Sequence, residues 1–108
     1  MATLYVSEYA RQALDNHGAP IAAGEEPPLA SQTVAIAVGS TASGAFNLKT
    51  RFVRLHADVV CSFKFGTGTP VAVATDARMG ANQTEYFGVL EQAVRDPAGF
   101  KVAVIQNT

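Results

Sequence analysis

The sequence predicts an all-β domain, an antiparallel β-sandwich or small jelly-roll-like barrel carrying an extended N-terminal arm. Three observations lead there. At 108 residues the chain has the length of one domain. From Gln32 onward, apolar and small or polar residues alternate with period two, as a strand with one buried face does. Clusters of Gly, Pro, Ser, Asn and Asp interrupt these stretches every ~8–15 residues, the turn spacing of a sandwich.

Residues 1–31 have a different texture and are expected to form the arm. Gly18-Ala19-Pro20, Gly24-Glu25-Glu26 and Pro27-Pro28 break the segment, and short apolar patches (Leu4, Tyr5, Val6; Ile21, Ala22, Ala23) lie between the breaks. One or two short strands fit here. Arg11–Asp15 has room for a single helical turn, too short to hold by itself, and Pro27-Pro28 favours a stiff polyproline-like link.

Residues 32–108 are expected to be the sandwich body. Thr33–Val38 reads as a strand with Val34, Ile36 and Val38 on one face, followed by the small-residue turn Gly39–Gly44. Arg51–Val59 is a second strand, with Val53, Leu55, Ala57 and Val59 facing in and Arg54, His56 and Asp58 facing out. Val60–Phe65 follows so closely that a bulge or bend is expected near Asp58-Val59-Val60. It puts Cys61, Phe63 and Phe65 inward and Ser62 and Lys64 outward. After the tight connection Gly66–Pro70, Val71–Thr75 reads as a strand and Asp76–Gln83 as a polar loop. Glu85–Val89 returns to strand, Leu90–Arg95 has room for a short helical turn, and Phe100–Gln106 is the last strand.

Composition removes several functional classes. Only 16% of residues are charged, against roughly 25% in ordinary domains. A net charge of −1 gives no field for polyanions, so nucleic acid is not an expected partner. No apolar run approaches the ~20 residues needed to span a bilayer, so no membrane partner is expected either. The opening Met1–Glu8 has no basic n-region or long apolar segment and does not read as a secretory signal. Cys61 is the single cysteine, which excludes an internal disulfide and a cysteine-built zinc site. Sparse charge also means a weakly solvated exterior, and burial against other subunits is expected to cover part of it.

No catalytic set emerges. His56 and Asp58 share a strand face and have the donor chemistry for a metal, but further ligands are wanting, because the only other histidine, His17, lies in the arm. No Gly-x-Ser-x-Gly elbow is present. Gly66-Thr67-Gly68 lacks the third glycine and the helix of a dinucleotide fingerprint, since position 71 is Val71. Cys61 alternates with Phe63 and Phe65 and reads as a buried, inert thiol. The Asn82-Gln83-Thr84 sequon reads as a chance match, and Glu25-Glu26 as solubilising charge. No enzyme, cofactor or metal is expected. What remains is surface. Tyr5, Tyr9 and Tyr86 are amphipathic anchors, and Arg51, Arg54 and Arg78 suit bidentate pairing with carboxylates. The three tyrosines, Arg51 and Arg54, with Leu4 and Val6 of the arm, make the candidate interface.

The run Arg51–Asp58, then Cys61–Gly66, Pro70-Val71-Ala72, Thr84–Val89 and Lys101–Ile105, with the opening Met1–Tyr9, resembles small virion-associated structural proteins of tailed bacteriophages. The chain departs from that pattern at Leu90–Asp96, where a shorter turn is expected. The resemblance implies a structural role, most directly a capsid decoration (cement) protein that bridges neighbouring capsid subunits. Its implied partners are the major capsid protein and copies of itself, a trimer before a dimer. Its implied place is the outer capsid surface of the virion, after assembly in the host cytoplasm. A head–tail neck or tail/fibre-base component and a β-sandwich module for host glycans are the alternatives. In the decorating role the arm would lie across the next subunit or add a strand to its sheet.

Overall fold

The computed structural model describes residues 2–107; Met1 at the head of the expected arm and Thr108 at the end of the expected body lie outside it. Ten strands and one short helix follow in order: β1 (Thr3–Tyr9), β2 (Gln12–Leu14), β3 (Pro20–Gly24), β4 (Ala30–Ala35), β5 (Thr41–Ala42), β6 (Phe52–Ala57), β7 (Cys61–Thr67), β8 (Ala77–Met79), β9 (Gln83–Gly88), α1 (Glu91–Val94) and β10 (Phe100–Gln106). Two four-stranded antiparallel sheets, ordered β4-β1-β6-β9 and β5-β10-β7-β8, pack face to face, and β2 and β3 form a separate hairpin. The all-β sandwich read from the alternation is the observed fold. Eight strands in two sheets is also the count of double-sheet jelly rolls.

The core lies between the sheets. Leu4 and Val6 of β1, Val34 of β4, and Val53, Leu55 and Ala57 of β6 meet Cys61, Phe63, Met79, Val102 and Val104 of the opposite sheet. Strand parity explains this. In β6 the odd positions are buried while Arg54 and His56 are half-exposed on the other face, as the sequence pattern requires. Phe46, Phe65 and Phe100 close one end of the core through ring pairs 5.7–6.2 Å apart.

Within the segment expected to form the arm, Thr3–Tyr9 is built into the body. β1 is an inner strand, paired with β4 on one side (Leu4↔Val34) and β6 on the other (Leu4↔Ala57). Its backbone groups are consumed in two ladders, and its even side chains fill the core. Removing residues 1–31 would therefore take out the centre of a sheet. The helical turn considered at Arg11–Asp15 is instead β2, paired with β3 across a turn that Asp15 closes: its backbone N–H donates to Ala19 O, and its Oδ1 accepts from the N–H groups of His17 and Ala19.

Other expectations are refined or changed. The bend at Asp58-Val59-Val60 is the crossing from one sheet to the other, since β6 and β7 belong to different sheets. Val71–Thr75 is irregular rather than a strand, and the short strand β8 follows within the expected polar loop. The reason is local. The Ala72 N–H donates to Ser40 Oγ (2.9 Å) and the Val73 N–H to Asp76 Oδ2 (2.9 Å), so these donors are satisfied without a ladder. This segment also lies against β7: Ser62, expected to face water, is buried with its Oγ donating to Ala74 O at 3.3 Å. Val38, expected to face inward with Val34 and Ile36, lies beyond β4 and is exposed.

Candidate functional site

The register of the first sheet places side chains from separate segments in rows across its outer face. One row runs Thr33 (β4), Tyr5 (β1), His56 (β6), Thr84 (β9); the next runs Ser31, Ser7, Arg54, Tyr86. The third begins at Tyr9 and Phe52. Tyr9 is covered there by the hairpin: a Cβ added at Gly24 of β3 would fall among the Tyr9 ring carbons, so only glycine lets that strand cross. Its hydroxyl donates to Glu26 Oε2 at 2.8 Å. Burial is the main force holding the Tyr9 phenol above its ordinary pKa, and the hydrogen bond to Glu26 and the Glu26 charge add to it.

Beyond the hairpin the face is open. A cleft of ≈ 550 Å³ runs over β4, β1 and β6, bordered by Tyr5, Ser7, Ser31, Thr33, Arg54 and His56. His56 Nδ1 is 2.7 Å from Thr84 Oγ1, which fixes the imidazole toward β9, and its ring meets Tyr5 at a tilt with centroids 6.2 Å apart. Tyr5 is 44% exposed.

The candidate interface residues thus divide. Tyr5 and Arg54 stand together at the cleft, on neighbouring strands and one row apart in the register. Tyr86 lies beside Arg54 but is half-covered, its ring stacked on Phe52 at 5.3 Å and 14°. Leu4 and Val6 are core residues and Tyr9 is buried, so none of the three meets a partner while the chain is folded. Arg51 is engaged within the chain: its Nη1 donates to Leu48 O (2.9 Å) and Thr50 O (2.8 Å), and its Nη2 lies 3.7 Å from Glu91 Oε1. Reading 1–31 as an arm hid the parity of β1, which is why Ser7 and the β4 hydroxyls were missed as neighbours of Arg54.

The other motifs resolve simply. Among the described residues no group of three or more His, Cys, Asp or Glu is placed to hold a metal. Cys61 is buried in the core, and burial pushes its thiol pKa up, away from the reactive thiolate. Among the described residues, no helix is long and apolar enough to cross a membrane.

Large apolar side chains are exposed elsewhere as well: Leu14 and Ile21 on the hairpin, Leu29 before β4, Val38, Val71 and Val73, and Leu48 and Leu90, whose backbone segments adjoin the Arg51–Glu91 pair. Comparison of the chain with models of protein families, with curated proteins and with solved structures finds no match.

Proposed function

We propose that the protein is a structural component of a bacteriophage particle, decorating the capsid and holding neighbouring capsid subunits together alongside copies of itself. One observation carries the reading: apolar side chains project from a sparsely charged exterior, with Val38 86%, Leu90 75% and Leu48 64% exposed. Fully burying a Val or Leu side chain is worth about 1.5–3 kcal/mol. Each such residue placed against a neighbour therefore contributes on the order of 1–2 kcal/mol. Single contacts of that size are weak, but a lattice repeats them by symmetry and their effects combine. The rigid sandwich suits this work, and the likeness of the strand segments to small virion proteins points the same way. Contact is assigned to the open sheet face at Tyr5 and Arg54 and to the apolar rim, in place of a projecting arm.

The test is particle imaging and quantitation. Particles made from the genome that encodes this chain, purified by density, are expected to carry it on the outer shell in hundreds of copies. Around six or twelve copies at one vertex would replace decoration with the neck or tail role. A chain that stays monomeric at tens of micromolar and never sediments with particles would overturn the structural role altogether.

A further inference from the structure

The cleft on the outer sheet face contains a cation that the fold does not use. Arg11, Arg51 and Arg95 each have a carboxylate partner, Glu25 for the first and Glu91 for the other two. Arg54 has none among the described residues, although it is half-buried on an inner strand. None of the residues bordering the cleft is acidic. Asp58 follows His56 by two residues, beyond the end of β6, and Glu26 is held by the Tyr9 hydroxyl. The same cleft is bordered by the hydroxyl-bearing side chains of Ser7, Ser31, Thr33 and Tyr5 and by the imidazole of His56.

The chemistry of this set is selective. A phosphate or sulfate site ordinarily gathers several cations or a nest of unpaired backbone N–H groups. Here there is one arginine, and the N–H groups of the inner strands β1 and β6 are engaged in ladders. An acidic peptide would be matched by a row of cations, and the cleft offers one, Arg54. One cation, one exposed aromatic ring and many hydroxyl groups match a compact polyol bearing a single carboxylate. Strands lie about 4.8 Å apart and same-face residues about 7 Å apart along a strand, so the two rows from β4 to β6 span about 10 by 7 Å. That is the footprint of one pyranose ring with its substituents.

We infer that this cleft binds a sugar acid: the carboxylate pairs with Arg54, the ring lies on Tyr5, and the sugar hydroxyls reach Ser31, Thr33 and His56. The inference stands apart from the particle role, because it concerns what the open face recognises whichever assembly holds the chain. A free sugar acid and the acidic residue of a polysaccharide present the same group.

The experiment is an NMR titration of the full chain with D-glucuronate, with D-glucose and L-glutamate as controls and a glucuronate-containing oligosaccharide as a second arm. Glucuronate is expected to shift the amides of Tyr5, Arg54 and His56 and leave the β10–β7 sheet unmoved. Glucose and glutamate are each expected to bind at least about tenfold more weakly, since each lacks half of the recognised chemistry. Arg54→Gln, checked for a native spectrum, is expected to lose about tenfold or more in affinity. Arg78→Gln, an exposed arginine of β8 on the other sheet, should bind as the unsubstituted chain does. Tighter binding of the oligosaccharide identifies a polysaccharide as the source, and equal binding identifies the free acid. No shift on this face, glutamate binding as well as glucuronate, or an unaffected Arg54→Gln would each overturn the inference.

Discussion

Replacing Glu8 by alanine is expected to be among the most damaging single changes to the fold. Glu8 shares the inward face of β1 with Leu4 and Val6 and is only 2% exposed. Its Oε1 accepts from the Asn47 N–H at 2.7 Å and from the Thr50 hydroxyl at 2.9 Å, and its Oε2 accepts from Gln32 Nε2 at 3.5 Å. The carboxylate thereby ties the loop before β6 to the centre of the opposite run of the chain. Hydrogen bonds to charged groups are worth about 1.5–3 kcal/mol each. Asn47 is exposed and its N–H regains water, whereas Thr50 is fully buried and its hydroxyl does not. Adding the void left by the missing carboxyethyl atoms, Glu8→Ala should cost about 2–4 kcal/mol. At about 4–8 °C per kcal/mol for a domain near this size, the melting temperature should fall by roughly 10–25 °C. Glu8→Gln keeps an oxygen in place for Asn47 and Thr50 and should cost only about 1 kcal/mol. Urea unfolding followed by circular dichroism, with calorimetry for the midpoint, measures both. A loss under about 1 kcal/mol for Glu8→Ala, or equal losses for the two variants, would refute the reasoning.

Two other outcomes follow from the same packing. Phe63→Ala removes a buried ring that meets Phe87 at 5.2 Å and Phe65 at 6.2 Å, and should destabilise by about 3–5 kcal/mol in urea unfolding; a value under ~1 kcal/mol would mean that this face of β7 is not core. The raised Tyr9 pKa predicts an alkaline weakness: the folded chain holds the phenol proton more tightly than the unfolded one, so the stabilisation is whole below the ordinary value of 10.0 and is lost as pH rises through the folded value. Unfolding midpoints measured from neutral to strongly alkaline pH should therefore fall more steeply for the unsubstituted chain than for Tyr9→Phe, which costs about 0.5–1.5 kcal/mol at neutral pH through the lost bond to Glu26; parallel curves would sink the assignment.

Much of the sandwich was legible because its alternation is local. Val53, Leu55 and Ala57 against Arg54 and His56 define the faces of β6 without reference to any other segment, and Phe100–Gln106 matches β10 end to end. The short helical turn after β9 is present at Glu91–Val94. What was not legible depends on partners far along the chain. Leu4 and Val6 alternate as cleanly as β6 does, but the glycines and prolines of residues 18–28 made the opening look detached. Its ladders to Val34 and Ala57 are non-local facts. Val71–Thr75 has strand composition, yet Ser40 and Asp76 satisfy its donors locally, and side-chain capping of that kind leaves no periodic trace. The cleft fell between these cases. Tyr5 and Arg54 were singled out individually, but their adjacency exists only in the register of β1 on β6.

The two outer faces of the sandwich differ in a way that bears on how the protein would meet anything else. On the β10–β7 sheet the chain covers itself: Ser62 and Ala103 point outward yet are fully buried, and Asn107 Nδ2 donates both to Ser62 Oγ (2.8 Å) and to Ala74 O (3.2 Å), pinning the irregular segment down. On the β1–β6 sheet the hairpin covers only the end at Tyr9, and the remainder is kept wet by hydroxyl-bearing side chains. A face hydrated by hydroxyls has little intrinsic tendency to collapse onto another protein, so adhesion in the proposed role must draw its free energy from the apolar rim at Leu14, Ile21, Leu48 and Leu90. The face itself then contributes selectivity rather than strength, through the Arg54 guanidinium, which has no carboxylate partner among the described residues. Substitutions on the rim should accordingly change how tightly the protein holds an assembly, and substitutions at Arg54 what it recognises there.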